Sequence, residues 1–256
     1  MFMTQTRRRA ALCASAALLL AAAALPAPAA AAEELSAEER AAFEQVIRDY
    51  LLENPEIIGE AIQRLQQREQ ARQAERQQQS VAQNLEKLQY DPASPVIGNP
   101  DGDVVIVEFF DYRCPYCKQV ADDLRRVVEE DGNIRLVMKE FPILSKESEL
   151  AAMAALAAHK QGRYEEFHFE LMTDPGCLSE QSIFAVAEDV GLDLEQTRAD
   201  MESPEITRTL DEIYALAQQI GVRGTPAFVI GEELVPGAIS IDIMREKVAA
   251  ARDQAS

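Results

Sequence analysis

Between Val104 and Val128 an apolar run, a short turn and an amphipathic helix follow without a gap, and two cysteines stand at the join. Val104-Val105-Ile106-Val107-Glu108-Phe109-Phe110 is β-branched and aromatic, the pattern of a buried strand. Asp111-Tyr112-Arg113 reads as the turn. Beyond it Cys117, Val120, Leu124 and Val127/Val128 recur at i, i+3, i+7 and i+10/i+11, the buried stripe of a helix.

Cys114-Pro115-Tyr116-Cys117 therefore occupies a strand-to-helix turn. Cys114 falls at the helix tip, where unpaired N–H groups and the positive dipole end favour a thiolate. Cys117 lies one turn further in, on the apolar face, hidden from solvent yet able to close a disulfide. Pro115 fits because the first helical turn needs no N–H from it. Two thiols so placed suit redox chemistry. Zinc is the usual rival for Cys-x-x-Cys, but it wants a second pair. Here only Cys177, His159 and His168 remain near enough in sequence, the histidines in a separate helical stretch. A structural disulfide and a Cu(I)-carrying pair of thiolates are the other readings.

The N-terminus reads as an export signal over residues 1–32: Arg7-Arg8-Arg9, an apolar stretch from Ala10 to Leu25, then Ala30-Ala31-Ala32 before Glu33. Its apolar part is short and alanine-rich for a membrane span. Cleavage would also remove Cys13. It would take away three arginines and no acid, moving the net charge from −19 to −22. Such an acidic chain excludes nucleic acid and anionic lipid as partners and suits basic or neutral protein clients. Export places the remaining cysteines in an oxidising compartment, the periplasm, where partner proteins keep such pairs poised.

From Glu34 to Leu88 the composition is helical. Phe43, Val46, Ile47, Tyr50 and Leu51 form one apolar stripe, ended by Asn54-Pro55, and Ile57/Ile58, Ala61/Ile62 and Leu65 form a second. Between Gln63 and Gln83 there is almost nothing to bury, so that stretch reads as a solvated helix or connector. The stripes together bury too little to fold alone, which points to self-association as a helical stalk. Asp91-Pro92-Ala93-Ser94-Pro95 marks a linker. Beyond it, strands are expected at Val104–Phe110, Ile134–Phe141, Pro226–Ile230 and Glu233–Pro236. Helices are expected at Pro115–Glu130, Glu147–Lys160, Tyr164–Met172, Ser179–Val190, Leu194–Met201, Glu205–Ile220 and Ile241–Ala251.

The run Val107-Glu108-Phe109-Phe110-Asp111-Tyr112-Arg113-Cys114-Pro115-Tyr116-Cys117 resembles the active-site segment of DsbA-like thiol–disulfide oxidoreductases. Gly221-Val222-Arg223-Gly224-Thr225-Pro226-Ala227-Phe228 is similar to that family's cis-proline loop. Tyr50-Leu51-Leu52-Glu53-Asn54-Pro55-Glu56 is similar to the stalk of the ScsC-like branch, whose members oligomerise through it and some of which are disulfide isomerases. The resemblance implies an α/β thioredoxin fold with an inserted helical subdomain, preceded by an α-helical stalk. Residues 33–92 would be stalk and linker and 93–256 the catalytic domain, with the insertion at about 145–220.

It further implies that Pro226 is cis and faces the sulfurs, with Thr225 offering its backbone to an extended client. Glu108 and Lys139 match the family's buried acidic and basic positions beneath the active site. A charge inside an apolar strand is expensive unless paired, so the two are expected to pair and help Cys117 gain and lose its proton. Tyr116 stands where the family's oxidase archetype has His, which implies a less oxidising potential. The function implied is disulfide exchange with client proteins, isomerase before oxidase, with a DsbA-type dithiol oxidase or a Cu(I) carrier as alternatives. Clients bearing thiols or disulfides, a membrane redox partner and further copies of the chain are the expected partners; no cofactor or resident metal is required.

Overall fold

The computed structural model describes residues 36–173 and 178–255. The expected signal segment and Cys177 lie outside the described residues. Contacts divide the chain between Ala61 and Ile62, inside a long helix, into two compact units.

The first unit is built on α1 (Ala37–Glu53). Ser36 caps it, accepting from the Glu39 amide while the Glu39 side chain returns to the Ser36 amide. Asn54 closes its other end, its side-chain amide donating to the Tyr50 carbonyl at 2.8 Å, and Pro55 forbids continuation. No residue of α1 is buried, so Phe43, Val46, Ile47, Tyr50 and Leu52 stand open to solvent.

The second unit begins within α2 (Glu56–Gln83), in which Val81 alone is buried, as its polar composition dictates. After it come α3 (Leu85–Gln89) and then five strands: β1 (Val96–Gly98), β2 (Val104–Phe110), β3 (Ile134–Glu140), β4 (Ala227–Ile230) and β5 (Glu233–Pro236). They order as β1-β3-β2-β4-β5, with β2 and β3 parallel and every other pairing antiparallel. The parallel pair is joined by α4 (Pro115–Asp131), which ends where Gly132 turns left-handed at φ 69°. Five helices separate β3 from β4, as expected for the insertion: α5 (Lys146–Lys160), α6 (Tyr164–Thr173), α7 (Glu180–Asp189), α8 (Leu194–Met201) and α9 (Pro204–Ile220). The chain closes with α10 (Ile241–Ala255).

The core has two layers, one on each face of the sheet. Val104, Ile106 and Phe110 of β2 and Ile134, Leu136 and Met138 of β3 face one layer with α4, α5, α6 and α10. Val105, Val107, Phe109 and Val137 face the other with α9, Leu88 and Val81. Strand β1 escapes the sequence reading because three residues carry no periodicity. It pairs Ile97 with Leu136 and requires Gly98, where a Cβ would meet Val128 and the Ile134 carbonyl at 2.5 and 2.7 Å. The Asp91–Pro95 segment, read as a linker, is held against the sheet: Asp91 and Ser94 both bind Lys139, and the Pro95 carbonyl accepts from the Met138 amide.

Candidate active site

Strand β2 delivers the chain to the sulfurs through a turn organised by Asp111. This carboxylate is buried and accepts four hydrogen bonds: from the Arg113 amide (2.7 Å), the Ser148 hydroxyl (2.7 Å) and the Ile143 and Leu144 amides (2.9 and 3.0 Å). Its own carbonyl accepts from the Cys114 amide at 3.0 Å. Cys114 then caps α4, with Pro115 in the first turn.

The Cys114 thiol donates to the Thr225 carbonyl at 3.2 Å, across 111 positions of sequence. The Thr225–Pro226 bond is cis and Pro226 is buried. Cys114 is thus joined to Thr225, with Cys117 hydrogen-bonded to Cys114 and Pro226 following Thr225 in the chain. Cys114 retains only 4% of its surface against 0% for Cys117, so the expected contrast between an open and a hidden sulfur is narrow. Tyr116 instead projects, 61% exposed.

Near Cys117 lies Glu108, 2% exposed and close enough for its charge to act on that thiol. Burial lifts its carboxyl to about 8. Burial also pushes the Cys117 thiol far up, and the nearby Glu108 charge adds to this; a backbone hydrogen bond with Asp111 acts the other way. An acid that holds a proton near neutrality beside a thiol reluctant to ionise is a natural source of the proton that sulfur takes up when its disulfide opens.

The expected Glu108–Lys139 pair does not form. In the parallel register Lys139 stands opposite Phe109, while Glu108 stands opposite Met138, so the two side chains leave opposite faces of the sheet. Lys139 is fully buried and spends its three N–H donors on the Ser94 hydroxyl (2.8 Å), the Lys87 carbonyl (2.9 Å) and the Asp91 carboxylate (3.0 Å). Burial lowers its pKa, and the Asp91 charge opposes that shift. Lys139 fastens the segment before the sheet and takes no part beneath the sulfurs.

Two features were missed in the sequence. One is Asp111, whose role depends on amides 32 and 33 residues away. The other is a buried cluster joining the cysteine turn to the insertion. The Tyr164 and Tyr112 hydroxyls donate to one oxygen of Glu140 at 2.8 and 3.2 Å, and Tyr112 lies 3.1 Å from His168 Nδ1. With the Tyr112 proton aimed at Glu140, the Nδ1–H of a neutral His168 supplies the remaining bond. Burial depresses His168 to about 3 and pushes Glu140 well above the usual carboxylate range. Glu140, a charge at the end of an apolar strand, was the available signal. Among the described residues, no three His, Cys, Asp or Glu side chains gather as a metal site.

Residues 105–249 match the family described as DSBA-like thioredoxin domain, and residues 39–72 match the Copper resistance protein ScsC N-terminal domain. A thioredoxin-like oxidoreductase from Silicibacter pomeroyi DSS-3 is 47% identical, with a TM-score of 0.64 over 66% of this chain and 97% of that one. Proteus mirabilis ScsC in a transitional conformation is 30% identical, with a TM-score of 0.64 over 86% of this chain and 100% of that one. Among curated relatives, the Na(+)/H(+) antiporter NhaA 1 of Salinispora arenicola is 30% identical over 158 residues, 61% of this chain. The chain spans only 24% of that antiporter's length. With its cysteine turn on a thioredoxin-like sheet and the family match running over more than half its length, the chain belongs to the DsbA-like thiol–disulfide oxidoreductases.

Proposed function

We propose that this chain is an exported, periplasmic oxidoreductase that exchanges disulfides with client proteins through Cys114 and Cys117, as an isomerase more than as an oxidase. The observation that carries the chemistry is the Cys114 thiol bonded to the Thr225 carbonyl beside cis Pro226, with Cys117 fully buried one turn behind. In the reduced form, the Cys114 thiolate attacks one sulfur of a client disulfide. A Cys114–client disulfide forms, the client's second sulfur leaves as a thiolate, and a proton from solvent neutralises it. A different client thiolate then displaces Cys114, which completes isomerisation with no net change in oxidation. If none arrives, Cys117 attacks Cys114, and the proton it sheds ends on the departing client sulfur; the client leaves with two thiols and the enzyme leaves oxidised. In the oxidising direction the same steps run in reverse.

The isomerase reading draws on the apolar face of α1, open along its whole length, and on the likeness of residues 39–72 to an ScsC domain. Copies associated through α1 would hold several reduced sites around one scrambled client. The test is refolding of a scrambled-disulfide client in a glutathione buffer containing a metal chelator. Wild-type protein is expected to restore client activity, Cys117→Ser to retain part of that rescue, and Cys114→Ser to lose it. Rapid oxidation of a reduced client with no rescue of a scrambled one would make the oxidase the better description. Loss of rescue on chelation would favour the Cu(I) carrier.

A further inference from the structure

A groove of roughly 690 Å³ runs between the second half of α2 and the C-terminal end of α9, and it opens beside the loop that carries Thr225. Arg76 lines one side and Arg223 the other. Both are exposed, and neither makes an ion pair with any described residue. The remaining polar lining is uncharged, chiefly Gln73, Gln77, Ser80 and Gln219. No acidic side chain lines it, in a chain whose net charge is −19.

The one negative feature that faces the groove is the carbonyl end of α9, and it is already occupied. Ser80 donates to the Gln219 carbonyl at 2.7 Å and Gln77 to the Ile220 carbonyl at 3.5 Å. Gly221, left-handed at φ 80°, turns its amide back to the Gln218 carbonyl. Two guanidinium groups are therefore left facing an otherwise neutral groove. Arginine offers carboxylates a planar, two-pronged donor, and the glutamine amides can serve a peptide backbone as donors or acceptors.

We propose that this groove takes an acidic segment of a client polypeptide while the client's cysteine is engaged at Cys114. The proposal rests on the exchange chemistry assigned above to Cys114. Arg223 is two residues before Thr225, whose carbonyl touches the Cys114 sulfur. At about 3.3–3.6 Å per extended residue, Arg223 lies at most about 7 Å of chain from Thr225, so a client passing Thr225 reaches the groove within a few residues of its cysteine. Overall charge makes the molecule hospitable to basic or neutral chains, and the groove makes a local exception on one flank of the bound client.

The test uses single-cysteine peptides, loaded as mixed disulfides with a chromophoric thiol, reacting with the reduced full chain. One peptide carries three glutamates three to five residues before the cysteine, a second carries them after it, and a third carries glutamines. One acidic peptide, and only one, is expected to show a KM about tenfold below the glutamine peptide, and 0.5 M salt should abolish the advantage. The Arg76→Gln/Arg223→Gln double variant should lose that advantage while exchanging with a small uncharged disulfide at the wild-type rate. Equal KM values for all three peptides, or an equal gain from acid on both flanks, would overturn the groove. So would a double variant that weakens acidic and neutral peptides alike. Failure of the wild type to exchange with the small disulfide would instead sink the assignment of Cys114.

Discussion

Glu108 titrates where burial disfavours its charge, and this makes it a gauge of pH. Its folded pKa of about 8 lies above the ordinary 4.5, so the folded chain keeps a proton that the unfolded chain gives up between those values. Stability from this group is therefore greatest below about pH 4.5 and falls as pH rises to about 8, by about 1.4 kcal/mol per unit. Glu108→Gln keeps the shape and removes the titration. In urea unfolding of the reduced protein, wild type and variant should match near pH 5, and the variant should be the more stable at pH 8. Parallel pH slopes would mean that Glu108 is solvated and charged throughout. The same residue scale shows why the Glu108–Lys139 pair misleads. Every residue of β2 is buried, so the strand has no polar–apolar alternation to announce its faces. Which neighbour lies opposite Glu108 is a matter of register between two strands, and neither strand's own sequence contains it.

At the scale of elements, the strand-to-helix turn was legible because every signal for it is local. The apolar run, Pro115 and the helical stripe lie within one stretch of chain. The segment before the sheet was not, since its polar composition reads as a linker until Lys139 is seen beneath it. Lys139→Ala removes the ammonium shared by Asp91, Ser94 and the Lys87 carbonyl. Breaking a buried pair costs about 3–5 kcal/mol, and about 3 is expected here because Asp91 retains contact with solvent. Lys139→Met should cost less, as the stem still fills its space. Urea unfolding measures both, and limited proteolysis near Tyr90 should quicken in step with the loss. An unchanged cleavage rate in Lys139→Ala would mean that α3 holds this segment without the lysine.

For the whole molecule, the two compact units invite separation at the join between Ala61 and Ile62. Deleting residues 36–61 removes α1 and its open apolar face. The remaining unit keeps both core layers, so its unfolding free energy should stay within about 0.5 kcal/mol of the parent's. Native mass by light scattering should fall to that of one chain, and rescue of scrambled clients should fall with it while exchange with small disulfides persists. An unchanged native mass would place self-association elsewhere.

The sequence by itself determined the strands and helices from β2 onward and the position of both cysteines at a helix tip, properties of short stretches written in periodicity and turn residues. The loop bearing Thr225 and Pro226 was legible through its likeness to a known family's motif. Only the tertiary structure decided that Lys139 answers to Asp91, that Asp111 gathers amides from beyond β3, and that Tyr112, Glu140, Tyr164 and His168 share one set of hydrogen bonds. It alone set Arg76 across from Arg223. Each of these joins residues from separate elements. The register and packing that bring them within about 3 Å, or across one groove, arise from the whole core closing at once.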